Sequence, residues 1–177
     1  MRVFARRGKF YNCWLPTRLR TTLGQLGEPI PDRAATLATH VRIDGEYVAF
    51  SMQQTGDPGF DLSRVVSVNA RTGRVAREVE PSETESFTSF VEDVEVAADG
   101  ALAYLQAEGT PCPGAHDNRK GEPQPEDAVI AVEPGAKRHT LDCETPSDPT
   151  GSISKLTVVG QTATWMHAGI PHTATLR

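Results

Sequence analysis

The chain has 177 residues, of which 38% are hydrophobic and 6% aromatic, and its 18 basic and 23 acidic side chains give a net charge of -5. This composition excludes collagen, a coiled coil and a helical membrane span, and the apolar segments that recur along the chain argue against full disorder. We expect a single soluble, turn-rich domain over residues 1–177, because the chain is long enough to bury a core.

The two signs of charge are concentrated in different parts of the chain. Residues 1–27 contain six basic and no acidic side chains, and residues 78–99 contain eight acidic ones. Arg18 and Arg20 flank Leu19 with the period of a strand, so the basic end is interpreted as a solvated strand face, and no nucleic-acid partner is predicted. No apolar core follows the basic start, so no signal peptide is predicted, and the chain is either cytosolic or a mature fragment.

The same β-hairpin is predicted three times. A strand, a turn that contains glycine and a second strand follow one another at residues 41–50, 94–104 and 156–165. The pairs Asp44-Gly45 and Asp99-Gly100 are typical of the tight hairpin turn that needs positive φ. An aromatic residue closes the second strand each time, which indicates that one structural unit recurs.

A second type of hairpin follows the first. Residues 65–79 and 128–141 each contain two strands around a glycine turn, residues 10–23 are similar, and residues 170–176 have the pattern of one such strand alone. Linkers are predicted at residues 24–36, 54–63, 109–127 and 143–152. Residues 33–40 are the only helix candidate, so little helix is expected.

These hairpins divide the chain into units of four strands. The approximate units are 1–24 (partial), 38–80, 90–142 and 153–177 (partial). A four-stranded antiparallel unit that repeats along the chain is typical of a β-propeller blade, and the units add up to about fourteen strands. The predicted fold class is all-β, a small or partial β-propeller of four-stranded antiparallel blades, with a β-sandwich as the alternative.

Two segments resemble a known family. Val41–Ser51 and Val65–Val75 resemble the Asp-Gly and Thr-Gly turns of TolB-like and WD-repeat-like β-propeller blades, and the resemblance covers roughly two thirds of the chain. It implies about 3.5 blades. Three arrangements follow: the partial units close one small ring, open sheet edges form a homo-dimer, or the chain is a fragment or strand-sharing half of a larger propeller.

Cysteine and histidine side chains give the candidate metal and disulfide sites. Cys112, His116, His139 and Cys143 have the ligand types of tetrahedral zinc, and His139 and Cys143 share one face if 139–143 is a regular strand. The alternative is a Cys112–Cys143 disulfide without a metal. That bridge would favour a secreted or cell-surface location over a cytoplasmic one.

Other side chains carry less specific signals. Asp57 and Asp61 offer oxygen ligands to calcium, although their Asp-Pro-Gly segment is above all a turn former. His167 and His172 flank a predicted turn and are interpreted as surface residues. No nucleophile elbow, zinc-protease motif, phosphate loop or dinucleotide fingerprint is present, so neither catalytic residues nor a cofactor are predicted.

The favoured function is a non-catalytic binding or interaction module for an unknown protein or small-molecule ligand. Loops 52–63 and 105–127 both join strands two and three of their units, and they are predicted to form one binding surface. A propeller-type hydrolase or lyase is the alternative. It needs clustered carboxylates, histidines or a metal, and the sequence pattern identifies no such set.

Overall fold

The structure, a computed structural model, describes residues 2–6, 9–14, 19–25, 35–57, 60–79, 90–107, 127–135, 137–144 and 152–177. Within these ranges the protein has fourteen strands and no helix, which confirms the predicted all-β class. None of the described residues belongs to a helix long and apolar enough to cross a membrane.

The strands form four antiparallel sheets, each a meander of consecutive strands. Sheet I contains β1 (Arg2–Arg6), β2 (Lys9–Trp14) and β3 (Leu19–Gln25). Sheet II contains β4 (Ala35–Asp44), β5 (Tyr47–Asp57), β6 (Phe60–Asn69) and β7 (Arg74–Val79). Sheet III contains β8 (Phe90–Val96), β9 (Leu102–Ala107), β10 (Asp127–Val132) and β11 (Arg138–Cys143). Sheet IV contains β12 (Ile153–Val159), β13 (Thr162–His167) and β14 (Ile170–Thr175).

The predicted glycine-turn hairpins are confirmed. Short turns join β4 to β5, β8 to β9 and β12 to β13, and Gly45, Gly100 and Gly160 in these turns have φ of +53°, +88° and +61°. The second hairpins, β6–β7 and β10–β11, and the last strand β14 also lie where the sequence pattern predicts them.

The helix candidate is wrong. From Ala35 onward the segment belongs to β4, and it pairs with β5 from Ala35 opposite Thr55 to Thr39 opposite Ser51. Thr36 and Thr39 are β-branched and favour extended backbone, and the cross-strand hydrogen bonds outweigh any local preference for helix.

The linker predicted at residues 54–63, which is also most of the predicted loop 52–63, is wrong as well. β5 and β6 continue through it and pair as far as Asp57 opposite Phe60. Pro58 and Gly59 lie outside the described residues. Strand pairing therefore extends over polar residues whose composition is typical of a linker.

Each sheet packs on the next one in chain order. One cluster of buried side chains around Phe50 of sheet II packs against the partly buried Val3 and Trp14 of sheet I. A second joins sheets II and III around Leu102 and Tyr104, and a third joins sheets III and IV around Leu105 and Trp165. Successive sheets therefore share apolar layers, which is the burial that drives sheet packing.

Sheet III is buried on both faces. Leu102 and Tyr104 of β9 belong to the cluster with sheet II, whereas Ala103 and Leu105, which alternate with them, belong to the cluster with sheet IV. Burial raises the pKa of Tyr104 to about 12, so its phenol is neutral at physiological pH. The near-continuous apolar runs of β9 and β10 reflect this double burial.

The glycine turns of sheets II, III and IV lie next to one another, and we call this side of the protein the turn end. A Cβ on Gly45 would lie 3.5 Å from the Cβ of Ala98. Gln161 Nε2 donates to Asp99 Oδ2 at 2.6 Å. The backbone N–H of Ala101 also donates to Asp99 and holds the pKa of that carboxyl below its usual value.

Polar contacts also join sheets II and III. Arg42 donates from Nη2 to Asp93 and from Nε to Glu95, both at 2.7 Å. The hydrogen bond with Glu95 raises the pKa of Arg42, so the guanidinium stays charged. Inside the interface, Ser67 Oγ donates to the carbonyl of Gly100 at 3.0 Å, which fixes the position of one sheet against the neighbouring turn.

Sheets I and IV each have three strands, and over the described residues their strands pair only within their own sheet. The described strands therefore do not show the predicted completion of the last unit by the first. A closed ring remains a prediction.

Candidate functional site

A cluster of polar and aromatic side chains lies between sheets III and IV at the end opposite the turn end, which we call the loop end. In sheets II, III and IV this is the end at which β5, β9 and β13, the second strands predicted for their units, finish. The cluster consists of Asp142, Trp165, His167 and His172 and is called the Asp–His cluster below. The β11 strand supplies the aspartate, β13 the Trp and first His, and β14 the second His.

A β-bulge in β11 aims Asp142 at sheet IV. Thr140 pairs with Ile130 and Asp142 pairs with Val129, so Leu141 is an extra residue. Adjacent residues of β10 point to opposite faces, so their partners also do. Asp142 thus shares the face of Val129, which belongs to the cluster joining sheets III and IV.

One oxygen of Asp142 is the centre of the cluster. Trp165 Nε1 donates to Oδ2 at 2.6 Å, and His167 Nδ1 lies 3.0 Å from the same oxygen. The other oxygen accepts the backbone N–H of Cys143 at 2.8 Å. The side chains of Asp142 and His167 are only 17% and 15% exposed, so these contacts form in a largely water-excluded position.

The surroundings of Asp142 keep it ionised. Burial alone would raise its pKa, but the hydrogen bonds from Trp165 and the Cys143 N–H, together with His167, hold the pKa below its usual value. A carboxylate that accepts several hydrogen bonds is favoured in its charged form. The cluster therefore presents a fixed anion near neutral pH.

His172 completes the cluster from the solvent side. It lies opposite Trp165 in the β13–β14 pair, and the two rings stack with centroids 6.0 Å apart and 20° between their planes. Its ring centroid is 5.7 Å from that of His167. One possible ligand atom from each of Asp142, His167 and His172 lies within 4.8 Å of the others. The four members therefore range from the buried Trp165, through the mostly buried Asp142 and His167, to the exposed His172.

The zinc set predicted from the sequence is not brought together by the described residues. Cys112 and His116 lie outside them. The bulge in β11 places His139, opposite Ala131, on the sheet IV face and Cys143, opposite Ala128, on the sheet II face. The expectation that His139 and Cys143 share a face is wrong because it assumes a regular strand.

Two other predictions from the sequence, the calcium ligands and loop 105–127, contribute no described side chain to the Asp–His cluster. Asp57 and Asp61 lie in β5 and β6, and their side chains lie outside the described part of the structure. Of loop 105–127, only residues 105–107 and Asp127 are described, and these belong to β9 and β10.

The sequence pattern does not reveal the Asp–His cluster as a set. His167 is mostly buried rather than a surface residue, whereas His172 is exposed as expected. The alternation of Trp165 and His167 on β13 places both on one face, so half of the cluster could be found from spacing. Asp142 could not, because a regular β11 would aim it elsewhere.

Comparisons of the chain with protein-family models, with curated proteins and with solved structures find no match.

We expect alkylation of the denatured, non-reduced chain to modify one cysteine, and three after reduction. Cys13 is a free thiol, and the sequence analysis predicts a bridge between the other two of the three cysteines, Cys112 and Cys143. Since Cys112 lies outside the described residues, its bridge to Cys143 stays a prediction. Intact-mass measurement counts the modified thiols. Cys143→Ser should raise the non-reduced count to two, and a count of three in the unsubstituted chain would contradict the bridge.

Proposed function

We propose that the chain is a non-catalytic, propeller-like binding module that takes its ligand at the loop end. The observation that carries this proposal is the Asp–His cluster, a fixed anion with an exposed imidazole at the junction of sheets III and IV. Binding sites on repeated-sheet scaffolds lie at the connections between rigid strands. The β13–β14 turn, which His167 and His172 flank, is such a connection.

Two structural regularities support the propeller-like part of the proposal. Antiparallel sheets stack in chain order with corresponding turns adjacent, as blades do. In addition, the first strands of sheets II and IV contain the same irregularity. His40 and Lys155 have φ of +52° and +57° at register shifts, and each precedes its turn glycine by the same number of residues. A shared bulge position favours repetition of one unit.

The electrostatics of Asp142 favour binding over acid–base catalysis. A general base that works near neutral pH needs a pKa close to 7, which for a carboxyl group means a strong upward shift. The hydrogen bonds from Trp165 and Cys143 act in the opposite direction. Asp142 is thus suited to hold a cation or a hydrogen-bond donor. The homo-dimer through open sheet edges and the hydrolase or lyase remain predictions from the sequence alone.

Selection of peptide ligands tests which end of the protein binds. A phage-displayed random peptide library is panned on the full chain, and the enriched peptides are compared on two variants with exposed substitutions, His172→Ala at the loop end and Gln161→Ala at the turn end. We expect His172→Ala to weaken binding about tenfold, a loss of about 1.4 kcal/mol, and Gln161→Ala to leave it unchanged. Peptides that depend on Gln161, that ignore His172, or that fail to enrich at all would contradict the proposal.

A further inference from the structure

The geometry points to a binding site for a divalent first-row transition-metal ion, represented by zinc, held by Asp142, His167 and His172. This inference rests on the proposed function, because it names the ligand of the loop end. It differs from the zinc set predicted from the sequence, since it shares none of its four residues with that set.

The donor set is one that such ions prefer. Imidazole nitrogen suits zinc, copper, iron and nickel, and a carboxylate with two imidazoles is a recurrent three-ligand combination that leaves further positions open. Asp142 contributes the negative charge, and its oxygens are held by donors that need not move when an ion arrives. Calcium and magnesium, which take oxygen ligands, do not fit two imidazoles.

The distances are close to those that an ion would require. Zinc bonds of about 2.1 Å at tetrahedral angles place ligand atoms about 3.4 Å apart. Asp142 Oδ2 and His167 Nδ1 are already 3.0 Å apart, and the widest separation in the set is at most 4.8 Å. A shift of at most about 1.4 Å brings the ligand atoms to that spacing. The His172 ring is exposed on β14 and has the freedom to make such a shift.

The surrounding residues orient the carboxylate as an outer ligand shell does. Trp165 is 3% exposed and fixed in the core between sheets III and IV, and its N–H donates to Asp142. Such partners hold a metal-binding group in its ligating geometry before the ion binds. The open side, next to His172, leaves room for water or for a donor atom of a ligand.

Zinc titration of the metal-free full chain tests the inference. Isothermal titration calorimetry with zinc chloride, and equilibrium dialysis with metal analysis, measure affinity and stoichiometry. We expect one ion per chain at this site. His172→Ala, an exposed substitution that preserves the core, should weaken binding at least tenfold, while His139→Ala, an exposed histidine outside the cluster, should leave binding unchanged.

A second variant separates ligation from structure. His172→Cys retains a metal-binding side chain and should restore zinc affinity. With cobalt in place of zinc it should add a thiolate-to-cobalt charge-transfer band that the unsubstituted protein lacks. Absence of zinc binding, equal affinity in His172→Ala, equal loss in His139→Ala, or absence of that band would overturn the metal site. If zinc does not bind but the selected peptides still require His172, only the metal site is rejected. If zinc binds as expected but the selected peptides depend on Gln161 at the turn end, only the proposed ligand binding at the loop end is rejected.

Discussion

Replacing Gly100 with alanine is expected to lower the free energy of unfolding by about 2–5 kcal/mol, the sum of left-handed strain and of overpacking. Gly100 has φ of +88°, and an added Cβ would lie 2.6 Å from Cε1 and 2.8 Å from Cδ1 of Tyr47. These are ring atoms of a half-buried side chain at the interface of sheets II and III, so they cannot withdraw freely. The Ser67 hydrogen bond to the Gly100 carbonyl further restricts relaxation of the turn.

Gly160→Ala is the matched control. Gly160 occupies the corresponding turn of sheet IV with φ of +61°, but nothing lies within 4 Å of its added Cβ. Gly160→Ala should therefore lower the free energy of unfolding only through left-handed strain, by about 1–2 kcal/mol. Urea unfolding followed by circular dichroism measures both variants. Equal losses would show that the contact with Tyr47 contributes nothing.

Leu102→Ala is expected to destabilise the protein by about 2–5 kcal/mol, the range for a buried leucine that leaves a cavity. Leu102 is fully buried in the cluster between sheets II and III, where β-sheet backbone on both sides limits collapse into the space. The loss includes the hydrophobic transfer of the removed carbons and the packing contacts of the residues that remain around the cavity.

Val159→Ala is the comparison for this core substitution. Val159 is also an apolar strand residue, but it is 80% exposed. Its truncation should change the free energy of unfolding by less than about 0.5 kcal/mol. The same urea titration compares the two. A loss for Leu102→Ala as small as that for Val159→Ala would mean that sheets II and III are not packed through this cluster.

Local signals explain which parts of the fold are predictable from the sequence. The hairpins at Gly45 and Gly100 combine a turn that needs positive φ with alternating apolar residues, and both signals lie within about ten residues of each other. The linker prediction at 54–63 is wrong because the turn-forming residues there do not prevent β5 from pairing with β6. Pairing depends on the partner strand, which local composition does not describe.

The candidate site was only partly predictable for a related reason. The spacing of Trp165 and His167 reveals their common face, but the position of Asp142 depends on the extra residue Leu141. The sequence of β11 contains no signal for a bulge, because the bulge arises from the register of β11 with β10. The extra residue Leu141 places His139 and Cys143 on opposite faces of the sheet. The same extra residue turns Asp142 toward Trp165 and His167.

The double burial of sheet III has a consequence for how the native state opens. A fluctuation that detaches this sheet exposes two apolar layers at once, whereas detachment of sheet I or sheet IV exposes the one layer each shares with its neighbour in the chain. Opening free energies scale with the area newly exposed to water. Amide protons of β9 and β10 should therefore exchange with solvent only when the whole chain unfolds, while those of sheets I and IV exchange through smaller and more frequent openings.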